Sequence, residues 1–267
     1  MRYVARQPRD GINVSTQHPL LEASTLFVGL SLIFIAIAVA LILLVDLVLL
    51  FVSPQREVGL FESWSVSDYV EVDDDDARVE ELQRLTDRLS RHWPESPYEY
   101  TVRIAESDEL NAMALPGGLI VITSGLLDAV ESENELAFVL GHEMGHFSNR
   151  DHIRGLGRGV VLSIFLAALS GSDGGVNLGS SLSDLTLRGF SRGQEEDADE
   201  FGLSIVNSEY GHVASSWRFF ERLADKELGL ATYLSTHPSP GDRVEQLIQH
   251  AGSNGWSVDG AVLGIDW

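Results

Sequence analysis

The chain has no cysteine. That absence excludes disulfides and thiolate metal sites, and it leaves the redox compartment unreadable. Any transition-metal site must therefore be built from His, Asp and Glu. Positive charge is also scarce: 18 Lys and Arg stand against 40 Asp and Glu, for a net charge of −22. Lys226 is the only lysine. With no basic patch to neutralise phosphates, nucleic acid is not an expected partner. Concentrated salt screens the self-repulsion of so acidic a surface, so the composition reads as that of a halophilic protein. A length of 267 residues suits one sizeable domain with something added.

The addition is visible near the N-terminus. Residues 24–52 read STLFVGLSLIFIAIAVALILLVDLVLLFV, with no charge from Leu26 to Val45. About 20 apolar residues at a 1.5 Å rise cover a bilayer core of roughly 30 Å, so a single transmembrane helix is expected in contact with lipid. Arg2, Arg6 and Arg9 precede the run, and only Arg56 follows closely. The positive-inside rule then places the N-terminus in the cytoplasm and the rest of a single-pass cell-membrane protein outside. Asp46 reads as an interface end of the helix, because no second span is in view to supply a partner. Residues 1–23 form a tail and residues 53–76 an acidic juxtamembrane linker. Asp73 to Asp76 read as a solvated charge run, since adjacent carboxylates lack the alternation of a calcium loop.

From residue 77 to 267 the pattern is globular. Val79, Leu82, Leu85, Leu89 and Trp93 recur at helical spacing, and Pro94 closes the run. Tyr98, Tyr100, Val102 and Ile104 alternate along a strand. "ELNAMALPGGLIVITSG" reads as strand, turn, strand, with the turn at Pro116, Gly117 and Gly118. The expected fold class is α+β: a mainly helical, zincin-type domain with a small antiparallel sheet.

The chemistry centres on "SENELAFVLGHEMGHFSN". Ser132 and Glu135 have capping-box spacing, and Leu136, Val139, Leu140 and Phe147 supply the apolar positions of a helix. Residues i and i+4 share a helix face, so His142 and His146 can hold one ion, with Glu143 reaching a water beside it. Gly141 and Gly145 are poor helix formers and suit close packing or close approach to a strand. A catalytic zinc site takes three protein ligands plus water. In "SRGQEEDADEFGL", Glu195 and Asp199 lie four apart on an expected helix. One can ligate the metal while the other accepts a hydrogen bond from a ligand histidine. Glu196, Asp197 and Glu200 read as a solvated face. His18, His92, His152, His212 and His250 match no motif and read as surface or packing residues.

"GHEMGH", "NAMALPGGLIVITSGLL", "SRGQEEDADEFG" and "STHPSPGDRVEQL" occur in this order. Together they resemble the membrane-associated zinc metallopeptidases that include HtpX and the CAAX prenyl proteases, over roughly residues 77 to 250. The resemblance implies one zinc ion on His142, His146 and Glu195, with Asp199 bonded to a ligand histidine. It implies Glu143 as general base and His237 as the group that steadies the tetrahedral intermediate. It also implies that the "LIVITSG" strand is the edge to which a peptide substrate adds as a further strand. Arg243 matches a helix-start arginine, for which pairing with an acidic residue is expected. Better-known members carry several membrane helices, some between the zinc helix and the third ligand. Here the corresponding run, Gly159 to Ser170, is too short to span. It reads as a buried helix under the site or a membrane-facing patch. A Gly- and Ser-rich stretch, residues 170–181, follows it. The expected activity is a membrane-anchored zinc endopeptidase acting on unfolded or membrane-associated polypeptides. The rival readings are a catalytically silent quality-control adaptor with the same zinc, and a zymogen occluded by the Gly-Ser stretch.

Overall fold

Thirty-one residues with no proline beyond the first position form the first helix, α1 (Pro19–Leu49), in the computed structural model. His18 caps it, accepting a hydrogen bond from the Leu20 amide at 3.3 Å, and a proline at the first position suits the N-terminus. None of its residues is buried, and it is long and apolar enough to cross a membrane. The structure describes residues 18–61, 72, 76–170, 189–225, 237, 240–265 and 267. Asp73 to Asp75 and the Gly-Ser stretch from residue 171 lie outside those residues. Of the acidic run expected to be solvated, only Asp76 lies among the described residues, and it is paired with Arg78 at 2.7 Å with its side chain 14% exposed.

The stretch expected as a linker contains a short helix, α2 (Pro54–Phe61). Helix α3 (Arg78–Ser90) buries Leu82, Leu85 and Leu89, as its spacing predicts. It covers a three-stranded sheet of β1 (Thr101–Ala105), β2 (Ala112–Leu115) and β3 (Leu119–Thr123). Tyr98, Tyr100, Val102 and Ile104 all face the core. The β2–β3 turn places Gly117 and Gly118 both at φ +88°. That conformation is open to glycine, and a Cβ on Gly118 would lie 2.6 Å from the Glu99 carbonyl oxygen.

The α+β class holds, but the sheet is mixed rather than antiparallel throughout. Its order is β1-β3-β2, with β3 parallel to β1 and antiparallel to β2. The hairpin sets the second pairing, and inserting β3 between its neighbours forces the first. This order overturns the expectation that the "LIVITSG" strand offers a free edge. Both edges of β3 are already hydrogen-bonded. Among the described residues the unpaired edge beside the zinc-motif helix belongs to β2.

Helix α4 (Ser124–Ala129) leads into α5 (Glu133–Ser148), which carries GHEMGH. Ser132 accepts from the Glu135 amide at 3.3 Å. The reciprocal arm of that box is missing, because the Glu135 carboxylate instead accepts from Arg222 at 2.6 Å. After α5 comes α6 (Asp151–Ser170), then α7 (Arg192–Tyr210), α8 (Arg218–Asp225) and α9 (Pro240–Ser253). A complete capping box, Ser191 with Gln194, starts α7.

Residues 159–170 are the second half of a longer helix. They continue α6, which runs antiparallel beside α1. Arg158 meets Asp46 at 2.7 Å, Arg154 meets it at 3.3 Å, and Gly157 packs on Val45. Asp46 thus has partners, supplied by a segment that its own helix could not announce.

Candidate active site

The two helices that carry the zinc motifs touch through glycines. A Cβ on Gly145 would lie 2.7 Å from the Ala198 Cα, and one on Gly141 would lie 3.1 Å from the Gly202 Cα. The close approach expected at these glycines is therefore made by helix α7, not by a strand. It brings residues 142–146 of α5 and 195–199 of α7 face to face.

His142, Glu143, His146, Glu195, Asp199 and His237 are all buried. Their burial places both histidines of α5 in the interior rather than on a solvated face. The Nε2 atoms of His142 and His146 lie 3.1 Å apart. Glu195 approaches them at 3.7 and 3.5 Å respectively. His237 Nδ1 lies 3.0 Å from Glu195 Oε1 and 3.3 Å from His142 Nε2. The four ligand atoms all fall within 4.8 Å of one another.

The opposite ring nitrogens show what those donors face. His142 Nδ1 is 2.9 Å from Asp199 Oδ1, and His146 Nδ1 is 3.2 Å from Asp151 Oδ2. Each Nδ1–H donates to a carboxylate, so each Nε2 turns its lone pair toward Glu195. Lone pairs and a carboxylate converging at such distances repel unless a cation sits among them. An all-nitrogen-and-oxygen set of this kind fits zinc. Beside it, Glu143 Oε2 is buried and has no hydrogen-bond partner among the described residues. A buried carboxylate oxygen left free is what a group that handles a transient proton needs.

Electrostatics agree with this reading. Burial lowers the His142 pKa, and the Arg243 charge lowers it further. Burial would also lower that of His146, but hydrogen bonds to Asp151 and Glu195 override it and push it up to about 9. Burial would raise Glu195 and Asp199. The charge and hydrogen bond of His237, with the hydrogen bond of His146, hold Glu195 far below the carboxylate range. Arg243 and His142 do the same for Asp199. Without metal, a proton on His146 is the smallest cation that reconciles these donors. Zinc uptake by the metal-free chain is therefore expected to release that proton at pH 7, about one per ion from this residue. Affinity should weaken as pH falls below about 9, where the proton competes with the metal. Calorimetry in buffers of different ionisation enthalpy would show it; zinc binding independent of pH between 6 and 9 would contradict it.

Asp199 and Arg243 take up the expected pairing. Arg243 Nε and a terminal nitrogen donate to Asp199 at 2.6 and 2.5 Å, and another meets Glu195 at 3.2 Å. Glu196, Asp197 and Glu200 are exposed, as expected. Two contributors escaped the sequence reading. Asp151 orients His146 and is itself held by Gln194 at 2.5 Å. Its position five residues beyond His146, opening α6, was the available signal. Phe190 stacks on the His146 ring with centroids 3.8 Å apart, which no local pattern announces. His237 is closer than an outlying oxyanion group, since it offers a donor to the same set.

Comparison with known proteins gives a consistent picture. The family description "Peptidase family M48" matches residues 76–251. The beta-barrel assembly-enhancing protease of Yersinia pestis is 29% identical over 156 residues, covering 53% of this chain and 32% of that protein. The mitochondrial metalloendopeptidase OMA1 of Arabidopsis thaliana is 34% identical over 157 residues, covering 56% and 31%. The metalloprotease LoiP of Escherichia coli (strain K12) is 29% identical over 193 residues, covering 67% and 74%. The chain thus spans about a third of the length of the first two relatives.

Proposed function

The chain belongs to peptidase family M48, and from that premise we propose that it is a membrane-anchored zinc endopeptidase of the HtpX-like kind. The observation that carries the reading is the buried meeting of His142, His146 and Glu195 with the unpartnered Glu143 oxygen beside them. His142, His146 and Glu195 would hold the zinc, which when bound supplies a Lewis acid that polarises the scissile carbonyl and acidifies water. Asp199 and Asp151 keep both rings in the tautomer that presents Nε2. Glu143 takes the proton of the attacking water as its oxygen bonds to the carbonyl carbon. It then delivers that proton to the departing amine nitrogen as the C–N bond breaks. The substrate backbone adds along the free edge of β2, which lies next to α5.

The relatives' names speak of β-barrel assembly and of mitochondria, and both settings involve membranes. With α1, they support a role in membrane protein quality control, with unfolded or membrane-associated polypeptides as substrates. The excess of arginine ahead of α1 supports a domain on the extracytoplasmic side. The acidic, lysine-poor composition supports assay in molar salt, as for a salt-adapted protein. The direct test is casein cleavage by the full chain in detergent, lost on chelation and in Glu143→Gln.

His237 admits two roles that give opposite results. Its Nε2 lies 3.9 Å from Glu143 Oε1, which supports a role in steadying the oxyanion. Its Nδ1 also belongs to the donor set, and a fourth protein donor closes a site that catalysis needs open. We assign the oxyanion role, so His237→Ala should lower kcat about 100-fold with KM little changed. Faster cleavage by that variant would instead establish His237 as a closing group that must withdraw.

A further inference from the structure

Arg150 has φ +58°, in the left-handed region that a residue with a Cβ seldom adopts. Such strain persists where the surroundings over-determine the conformation. Here the side chain does so. Its Nε and one terminal nitrogen donate to Glu57 Oε2 at 3.1 and 2.9 Å. The other terminal nitrogen donates to the carbonyls of Leu49 and Val52 at 2.8 and 2.7 Å. Those carbonyls close the end of α1, where helix geometry leaves acceptors without partners.

Glu57, on α2, is 1% exposed. It also accepts from the Tyr98 hydroxyl at 3.1 Å and from His152 Nε2 at 2.5 Å. His152 is buried as well, packed edge-on against Tyr98 and tilted on Phe147 with centroids 4.5 Å apart. Its second ring nitrogen, Nδ1, reaches the backbone carbonyl of His146 at 3.3 Å. One buried carboxylate therefore joins the end of the apolar helix to the backbone of a metal-site histidine. The residues after α5 divide the work. Asp151 holds the His146 ring, His152 its carbonyl, and Arg150 the end of α1. The family match begins at residue 76, so Glu57 lies outside it.

We propose that Glu57 is a positioning residue of the peptidase site: by holding Arg150 and His152 together, it sets the last turn of α5, and with it His146, against the end of α1. The inference rests on the peptidase reading and deepens it. Helix α2 is then part of the catalytic unit, and the anchor and the site share one buried carboxylate.

The test uses the full chain in detergent with Glu57→Gln, His152→Gln and the double variant. Glu80→Gln, whose side chain is 85% exposed on α3, serves as control. Zinc retention is read against a competing chelator. Amide exchange is followed in the metal-free protein at residues 144–149 and, for comparison, at residues 112–123. Glu57→Gln should lose zinc about tenfold more readily. Exchange at 144–149 should rise about fivefold while the sheet stays unchanged. In the His152→Gln background the same change should add less than about twofold, because the connection is already cut. Additive effects, or exchange rising equally in the sheet, would make Glu57 a general stabiliser and overturn the proposal. If Glu57→Gln does not fold, Arg150→Lys keeps the charge but loses the fork that reaches both Glu57 and the α1 carbonyls. It should give the same local signature, and its absence overturns the proposal equally. A wild type that shows these responses yet cleaves nothing sinks the peptidase reading and leaves the positioning role. Cleavage with zinc retention and exchange unmoved by Glu57→Gln sinks the positioning role alone.

Discussion

Glu143→Gln is expected to reduce casein cleavage by about 10³-fold while zinc content stays at the wild-type level. The substitution keeps the shape of the side chain and removes only its ability to accept a proton. Glu143 Oε2 has no hydrogen-bond partner among the described residues, so the exchange breaks no bond there. The donor set of His142, His146, Glu195 and His237 does not include Glu143, so metal affinity should hold. Structural loss and chemical loss therefore separate in this variant. The measurement is kcat/KM on casein with zinc determined on the same sample. Full activity in Glu143→Gln would exclude it as the general base. Silence from both proteins, folded and zinc-loaded, would favour the adaptor or the occluded zymogen.

Arg243→Ala should destabilise the metal-free chain by about 3 to 5 kcal/mol, the cost of removing one partner from a buried charge cluster. Arg243 is 3% exposed and serves two carboxylates, Asp199 and Glu195. Its guanidinium also sits 4.3 Å over the Phe220 ring. Without it, Asp199 stays buried with its main cation gone and Glu195 loses one of its partners. Zinc should restore part of the loss, because the dication supplies charge at Glu195. Denaturant unfolding with and without zinc measures both terms. A loss below about 1 kcal/mol would mean that solvent reaches Asp199 and Glu195 in the folded chain.

How much of this was legible in advance depends on whether the signal is local. The missing cysteines confined the donors to His, Asp and Glu before any fold was known. The i,i+4 histidines, the apolar positions of α5 and the alternation of residues 98–104 are short-range patterns, and each reads correctly because helix and strand periods are properties of the backbone. Glu195 and Asp199 share a face of α7 for the same reason. Glycines 141 and 145 could be recognised as contact points, but the partner could not, since nothing in α5 names Ala198 and Gly202. Strand order escaped likewise: a hairpin fixes β2 against β3, whereas the seat of β3 beside β1 depends on which faces the helices cover. Asp46 with Arg158, Asp151 with Gln194, and Glu57 with His152 are pairs that a carboxylate makes with whatever the fold brings near. The sequence alone determined the available donor types, the helical face of His142 and His146, and the long apolar helix. Only the tertiary structure decided which buried charges meet, because pairing energies act through space and leave no period along the chain.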